Sequence, residues 1–126
     1  MKFRTPLARV RGLGSARSGT HHWWMQRLTA IALVPLSLWF VAALLNVVTA
    51  DHMTVIGWLH APLVAILFCA FIVAAFYHAQ LGLQVVLEDY VHSEWLKLTS
   101  IVLTKLLLLL LAGVCLFAVL SIAFTN

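Results

Sequence analysis

A single histidine lies deep in an apolar stretch of the chain, and acidic and aromatic residues end that stretch. The histidine is His78, within the uncharged run 57–87, and Glu88, Asp89 and Tyr90 follow the run. An ionisable side chain inside an apolar span costs a few kcal/mol on insertion scales, so its presence indicates a functional site. A neutral imidazole far from water is a good axial ligand for haem iron. The residue types alone leave open both haem ligation and a hydrogen bond across a helix interface.

Two further groups of residues could act together with His78. His21 and Arg27 are donors that could hold the anionic propionates of a haem. Tyr90 could donate a hydrogen bond to a quinone carbonyl, and Asp89 could relay protons during quinone reduction. Tyr90 could equally be an interfacial tyrosine, and Asp89 a solvated acid at a helix end. The chain has no second histidine at a comparable depth, so a second axial ligand would have to come from another chain.

The composition places these residues in a membrane. Of 126 residues, 63% are hydrophobic and 10% are charged, with a mean hydropathy of +1.03, which is too apolar for a water-soluble monomer. Charged residues are absent from 28–50, from 57–87 and from every position after Lys105. Each gap reaches or nearly reaches the roughly 20 apolar residues that cross about 30 Å of hydrocarbon. The sequence therefore predicts an all-α integral membrane protein with three transmembrane helices.

We expect one membrane-anchor domain over 1–126, with spans at about 27–49, 58–88 and 98–124 after a basic arm over 1–20. Pro62 suits the first turn of the second span, because proline lacks the N–H that a helix start leaves unpaired. Lys105 lies inside the third span. We favour a lysine that snorkels to the interface over a buried functional lysine.

The distribution of basic residues predicts the orientation. Six of them precede or open the first span without an accompanying acid: Lys2, Arg4, Arg9, Arg11, Arg17 and Arg27. We interpret them as a topological signal, and not as a nucleic-acid-binding tail or a transit peptide. The first loop contains no lysine or arginine, whereas Lys97 follows the second span. We therefore expect a cytoplasmic amino terminus, a carboxyl terminus on the opposite side, and Asp89 and Tyr90 on the same face as His21 and Arg27.

Several motifs together resemble those of a known family. They are Gly19-x-His21, Arg27-x-Thr29-Ala30, His78-x-x-x-Gly82 and the pair Asp89-Tyr90. This combination is similar to the small hydrophobic membrane anchor subunit of succinate dehydrogenase (respiratory complex II) in its proteobacterial form. The resemblance covers about 18–90 by motif, and the whole chain by length and three-span layout.

The resemblance implies a haem b shared between two anchor subunits. His78 would be this chain's axial ligand to the haem iron, and the sister subunit, cytochrome b556, would supply the opposite histidine. His21 and Arg27 would contact the haem propionates. The neighbouring His22 leaves open which of the two histidines faces the haem.

The resemblance also implies a ubiquinone site and two further partners. Tyr90, with Asp89 beside it, would bind ubiquinone as the substrate. FAD and iron–sulfur clusters would belong only to a flavoprotein subunit and an iron–sulfur subunit, so this chain would carry no catalytic residue for succinate. Electrons from succinate would pass to quinone, linking the tricarboxylic acid cycle to the respiratory chain. The expected location is a bacterial inner membrane, with a mitochondrial inner membrane as the second choice.

Two other functions compete with this interpretation. A small transporter or channel subunit would be expected to carry acids or paired charges near the middle of the membrane, and the first and third spans have none. A haem-free structural anchor would result if His78 only packs between helices.

Overall fold

Between residues 17 and 125 the chain folds into three long helices and one short helix. The structure, a computed structural model, describes residues 5–7 and 17–125, so most of the predicted basic arm lies outside the described residues. The helices are α1 (Arg17–Val47), α2 (His52–Leu59), α3 (Pro62–Tyr90) and α4 (Glu94–Phe124). α1 from Gly19 onward, α3 and α4 are each long and apolar enough to cross a membrane. The prediction of an all-α chain with three spans is confirmed for the described residues.

The helix boundaries differ from the expected spans. α1 begins at Arg17, before the expected start of the first span at about 27, so His21 and Arg27 both lie on this helix. The expected second span at 58–88 is divided, because α2 ends at Leu59 and α3 begins at Pro62. Proline fixes its own backbone angle and cannot donate to the preceding turn, so it starts a helix more readily than it continues one.

α3 is the central helix of the described chain. It packs against α1 on one side and α4 on the other, and α2 contacts both α3 and α4. Of the residues whose side chains are described, four are buried, namely Thr29, Ala65, Ile72 and Leu81. Large side chains such as Leu38, Leu109 and Phe117 are exposed over 69%, 71% and 74% of their surface. The helices therefore leave most of their apolar surface to lipid and to other chains.

An aromatic cluster joins α1, α2 and α3 at one end of the bundle. It consists of Trp39, Phe40, Trp58, Phe68 and Phe71. Phe68 makes edge contacts with Trp39, Phe40 and Trp58, at centroid distances of 5.5, 5.6 and 5.6 Å. Phe40 stacks on Phe71 at 4.7 Å. Since the apolar surroundings are much the same inside and outside a membrane bundle, such ring contacts contribute through packing and not through burial from water.

The turn between α1 and α2 carries polar contacts that suit a water-facing loop. The Thr54 hydroxyl donates to the Asp51 carboxylate. This hydrogen bond lowers the pKa of the exposed Asp51 carboxyl below its usual value, so the group is ionised at neutral pH. Asn46 donates to the Ala42 carbonyl oxygen at 2.9 Å, which satisfies its amide at the end of α1.

Replacing Phe68 should destabilise the bundle, because its ring is shared by three neighbours. Each aromatic pair is worth about 0.5–1.5 kcal/mol, so Phe68→Ala should remove about 2–4 kcal/mol. The measurement is the temperature at which the purified protein in detergent loses half of its monodisperse fraction. Phe117→Ala is the matched control, since Phe117 is 74% exposed and makes no ring contact with a described residue. Equal shifts for the two variants would contradict a structural role for the cluster.

Candidate functional site

His78 lies on α3, and its ring contacts Thr29 on α1. The distance from Thr29 Oγ1 to His78 Nδ1 is 2.9 Å. Thr29 Oγ1 also lies 2.7 Å from the Met25 carbonyl oxygen and 3.1 Å from the Gln26 carbonyl oxygen. Because Thr29 Oγ1 lies closer to the Met25 carbonyl oxygen than to His78 Nδ1, we assign its single hydroxyl proton to the α1 backbone. The hydroxyl oxygen therefore accepts the Nδ1–H of His78.

In the tautomer that this assignment gives, the ring proton is on Nδ1, and Nε2 is the nitrogen that can accept or ligate. Among the described residues, Nε2 has no hydrogen-bond partner. Histidines that bind metals commonly donate their other ring N–H to an acceptor, which sets the ring orientation and raises the basicity of the ligating nitrogen. Thr29 is 7% exposed, so its contact with His78 is shielded from water. The site can therefore present a neutral, oriented imidazole nitrogen.

His78 also lines a groove of about 470 Å³ along α1. The other lining residues all belong to α1: Ala30, Leu33, Val34, Ser37, Leu38 and Val41. His78 is the one ionisable side chain in this set, and the small Ala30 and Ser37 leave room beside it. A groove of this kind suits a flat, largely apolar ligand that approaches the imidazole.

The histidine on α1 that contacts α3 is His22, and not His21. The Nε2–H of His22 donates to the Leu81 carbonyl oxygen at 3.2 Å. His21 is exposed, and at 100° per residue it lies about 180° around α1 from Ala30, which lines the groove. The structure therefore places His22 in the α1/α3 interface, and His21 on the side of α1 that is opposite the groove.

Arg27 lies on the groove side of α1, one turn before Ala30. Residues three apart share a helix face, so Arg27 continues the row that contains Ala30 and Val34. Its guanidinium lies 5.1 Å from the centroid of the Trp23 ring, a cation–π contact that holds the charge near this face. Arg27 is exposed and has no acidic partner among the described residues.

Asp89 and Tyr90 end α3 and lie at the same end of the bundle as the first turns of α1, because α1 and α3 are antiparallel. Tyr90 is 77% exposed, and neither side chain has a hydrogen-bond partner among the described residues. Tyr90 lies about 18 Å from His78 along the helix at a rise of about 1.5 Å per residue. The structure brings His78, Thr29 and His22 together, and it leaves Asp89 and Tyr90 at a separate position.

Sequence reasoning assigned no role to Thr29 or Gln26, although one signal indicated both. His22, Gln26 and Thr29 are spaced at i, i+4 and i+7, which is the pattern of a single helix face. Gln26 lies over Gly82, where an added Cβ would be 3.7 Å from the Gln26 Nε2. Its Oε1 is buried and accepts no hydrogen bond from the described residues. The polar face of α1 therefore marks the side that meets α3.

Comparisons with known proteins agree with this layout. Residues 1–123 match the model of the family described as succinate dehydrogenase/fumarate reductase transmembrane subunit. A succinate dehydrogenase hydrophobic membrane anchor subunit from Rickettsia bellii is 40% identical over 104 residues, covering 82% of this chain and 83% of that protein.

More distant relatives carry the same description. The hydrophobic membrane anchor subunit from Paracoccus denitrificans is 27% identical over 71% of this chain and 70% of its own. The membrane anchor subunit from Porphyra purpurea is 31% identical over 86% of this chain and 90% of its own. No solved structure shows significant similarity. The family match and the Rickettsia relative together show that the chain belongs to the family of succinate dehydrogenase/fumarate reductase transmembrane subunits.

Proposed function

We propose that this membrane anchor subunit supplies His78 Nε2 as one axial ligand of a haem b in a succinate:ubiquinone oxidoreductase. The observation that carries the proposal is the Thr29–His78 hydrogen bond, which engages Nδ1, so Nε2 is the ring nitrogen left available. An imidazole that served only to join two helices would need no groove beside it. His78 has one, along the Ala30 side of α1.

The residues present fit a haem shared with another chain. His78 can supply one axial nitrogen, and we propose that a second comes from a partner, since His22, the other histidine near this level, already donates its Nε2–H to the Leu81 carbonyl oxygen. A cytochrome b sister subunit is the partner we propose for that ligand. Bound haem would supply a one-electron redox centre within the membrane.

Arg27 is the cation that we propose for the haem propionates. It lies on the groove side of α1, and the Trp23 ring holds it there. A guanidinium can hydrogen-bond a carboxylate in a bidentate manner, which a lysine cannot do. His21 lacks comparable support, because it lies on the far side of α1. His22 is closer, but its Nε2–H already donates to Leu81.

Tyr90 and Asp89 are the residues that we propose for ubiquinone. Both are exposed at the end of α3, where a lipid-soluble quinone headgroup would meet the polar face of the membrane. The Tyr90 hydroxyl would donate to a quinone carbonyl, and Asp89 would relay protons taken up as the quinone is reduced. Their unpaired side chains leave them free to bind a ligand in a site completed by partner subunits.

Succinate oxidation belongs to other subunits in this proposal. A flavoprotein with FAD and a subunit with iron–sulfur clusters would pass electrons toward the face that carries Tyr90. The charge pattern of the sequence supports a cytoplasmic position for that face. The Rickettsia and Paracoccus relatives support a bacterial inner membrane.

A haem-free structural anchor is the competing function. The Thr29–His78 contact is also compatible with a structural role, because a hydrogen bond between two membrane helices stabilises their packing without any ligand. Membership of the family leaves little support for a transporter or channel subunit. Substitution of His78 distinguishes the two functions, because it tests whether His78 binds haem or only packs between helices.

Replacing His78 by alanine should remove the haem. We expect the purified complex with His78→Ala to lose the reduced-minus-oxidised absorbance of a b-type cytochrome, because one axial ligand is gone. His52→Ala is the control, since His52 is exposed at the start of α2. A full haem spectrum in the His78 variant would show that His78 packs and does not ligate.

Thr29 should affect haem binding and the midpoint potential of the haem through its hydrogen bond to His78. Thr29→Val keeps the size of the side chain but removes the acceptor for Nδ1–H, so we expect about tenfold weaker haem binding and a more positive midpoint potential. Thr29→Ser keeps the hydroxyl and should behave like the unaltered protein. The readouts are haem content and a potentiometric titration. Unchanged values in the valine variant would refute this role while leaving the ligand assignment to the His78 experiment.

Removing the Tyr90 hydroxyl should slow quinone reduction selectively. One lost hydrogen bond is worth about 0.5–1.5 kcal/mol, so Tyr90→Phe should lower kcat/KM for ubiquinone by about two- to tenfold. Succinate oxidation with a soluble dye should be unaffected. Trp95→Phe is the control, as Trp95 is an 84% exposed aromatic residue at the same end of the bundle. A parallel loss of both activities would contradict the quinone assignment.

A further inference from the structure

A second groove, of about 490 Å³, lies between α3 and α4. Its walls are mostly apolar, and three polar side chains line it: Tyr77, Gln80 and Lys105. At 100° per residue, Gln80 lies about 160° around α3 from His78, so this groove is on the side of α3 away from the proposed haem. The groove is therefore separate from the proposed haem and quinone positions.

Lys105 is an unpaired cation in this groove. It is the only charged residue after Lys97 in the sequence. Lys97 pairs with Glu94 at 3.0 Å, whereas Lys105 is exposed and has neither an ion pair nor a hydrogen bond among the described residues. A charge within a membrane span is costly unless an anion or the polar interface compensates it. No described residue compensates Lys105, so its charge must meet either the polar interface or an anion from outside this chain.

The depth of Lys105 allows that partner to be a lipid headgroup. α4 has 31 residues and is about 46 Å long, about 16 Å longer than a hydrocarbon core of about 30 Å. If α4 is centred in the membrane, Lys105 lies about 8 Å inside the boundary, since it is about 16 Å from the start of the helix. An extended lysine side chain spans most of that remaining distance.

Three side chains on α3 form a ladder of hydrogen bonds that begins at the groove and extends towards the end of the helix. Gln80 Nε2 donates to Gln84 Oε1 at 3.2 Å, and Gln84 Nε2 donates to Glu88 Oε1 at 2.8 Å. The ladder joins the groove to the polar end of α3. The Glu88 carboxylate lies about 12 Å along the helix from Gln80, and its Oε1 already accepts from Gln84. Of these three residues only Gln80 lines the groove with Lys105, so a phosphate in the groove would meet the Gln80 amide before the Glu88 carboxylate.

We propose that the α3/α4 groove binds an anionic phospholipid, with the phosphate paired to the Lys105 ammonium and one acyl chain along the apolar floor. The floor is formed on α4 by Leu109, Ala112, Gly113 and Leu116. Gly113 has no side chain to obstruct the acyl chain, and a Cβ there would meet nothing within 4 Å. The charge of Lys105 selects an anionic over a zwitterionic lipid. This inference does not depend on haem or on quinone.

The test uses the purified complex in phosphatidylcholine nanodiscs with a trace of photoreactive phosphatidylglycerol. Crosslinked peptides are mapped by mass spectrometry, and unlabelled lipids compete for the site. We expect crosslinks on residues 105–116. Unlabelled phosphatidylglycerol should compete about fivefold better than phosphatidylcholine, the preference that one lysine near the membrane surface provides.

Two variants test the contact with the headgroup and the contact with the acyl chain separately. Lys105→Gln should abolish the preference for phosphatidylglycerol, and Gly113→Leu should reduce crosslinking by filling the floor. The controls are Lys97→Gln, a cation already paired with Glu94, and Gly57→Leu, an equally open glycine on α2. An unchanged preference in Lys105→Gln would overturn the proposal. Absence of crosslinks on 105–116 in the unaltered complex would overturn it as well, because a partner helix would then cover the groove.

Discussion

The hydrogen bond between Thr29 and His78 is the interaction on which the arrangement of α1 and α3 depends. Within a membrane no water competes for these groups, so an unpaired Nδ1–H would be costly. The bond satisfies it at 2.9 Å and turns the ring so that Nε2 is the free nitrogen. Because Thr29 also bonds the backbone of its own helix, the acceptor is held at one height and one rotation. Thr29 thus links the packing of α1 on α3 to the orientation of the histidine ring.

α3 has polar side chains on two different sides, and the rest of the chain leaves part of each side uncovered. One side presents His78 to α1, and the other presents Gln80 toward the groove that contains Lys105. Membrane helices are not driven together by burial from water, so polar contacts and close packing decide their association. Each polar side of α3 ends at an open groove. The subunit therefore resembles one part of a larger assembly, with lipid and partner chains forming the remaining walls.

The sequence predicted the three spans, because charge gaps are a property of the chain itself. It also singled out His78 as a candidate, because a lone membrane histidine can be recognised without a structure. It could not identify Thr29 as the partner of His78, since that contact depends on how α1 rotates against α3. The same rotation decides that His22 and not His21 meets α3. Pro62 was expected in the first turn of the second span, but the separate short helix α2 before it was not, because apolar residues lie on both sides of the boundary and hide it from hydropathy. The contacts between the helices could be identified only from the structure.

The order of the helices along the chain has a consequence for biogenesis. α3 carries a ring N–H that needs an acceptor as it enters the lipid, and the acceptor is on α1, which the ribosome delivers earlier. Membrane helices can insert first and associate afterwards, so α1 is already in the bilayer when α3 arrives. A chain with these two helices exchanged would expose the histidine before its threonine existed. The connectivity thus provides the hydrogen-bond acceptor before the histidine needs it.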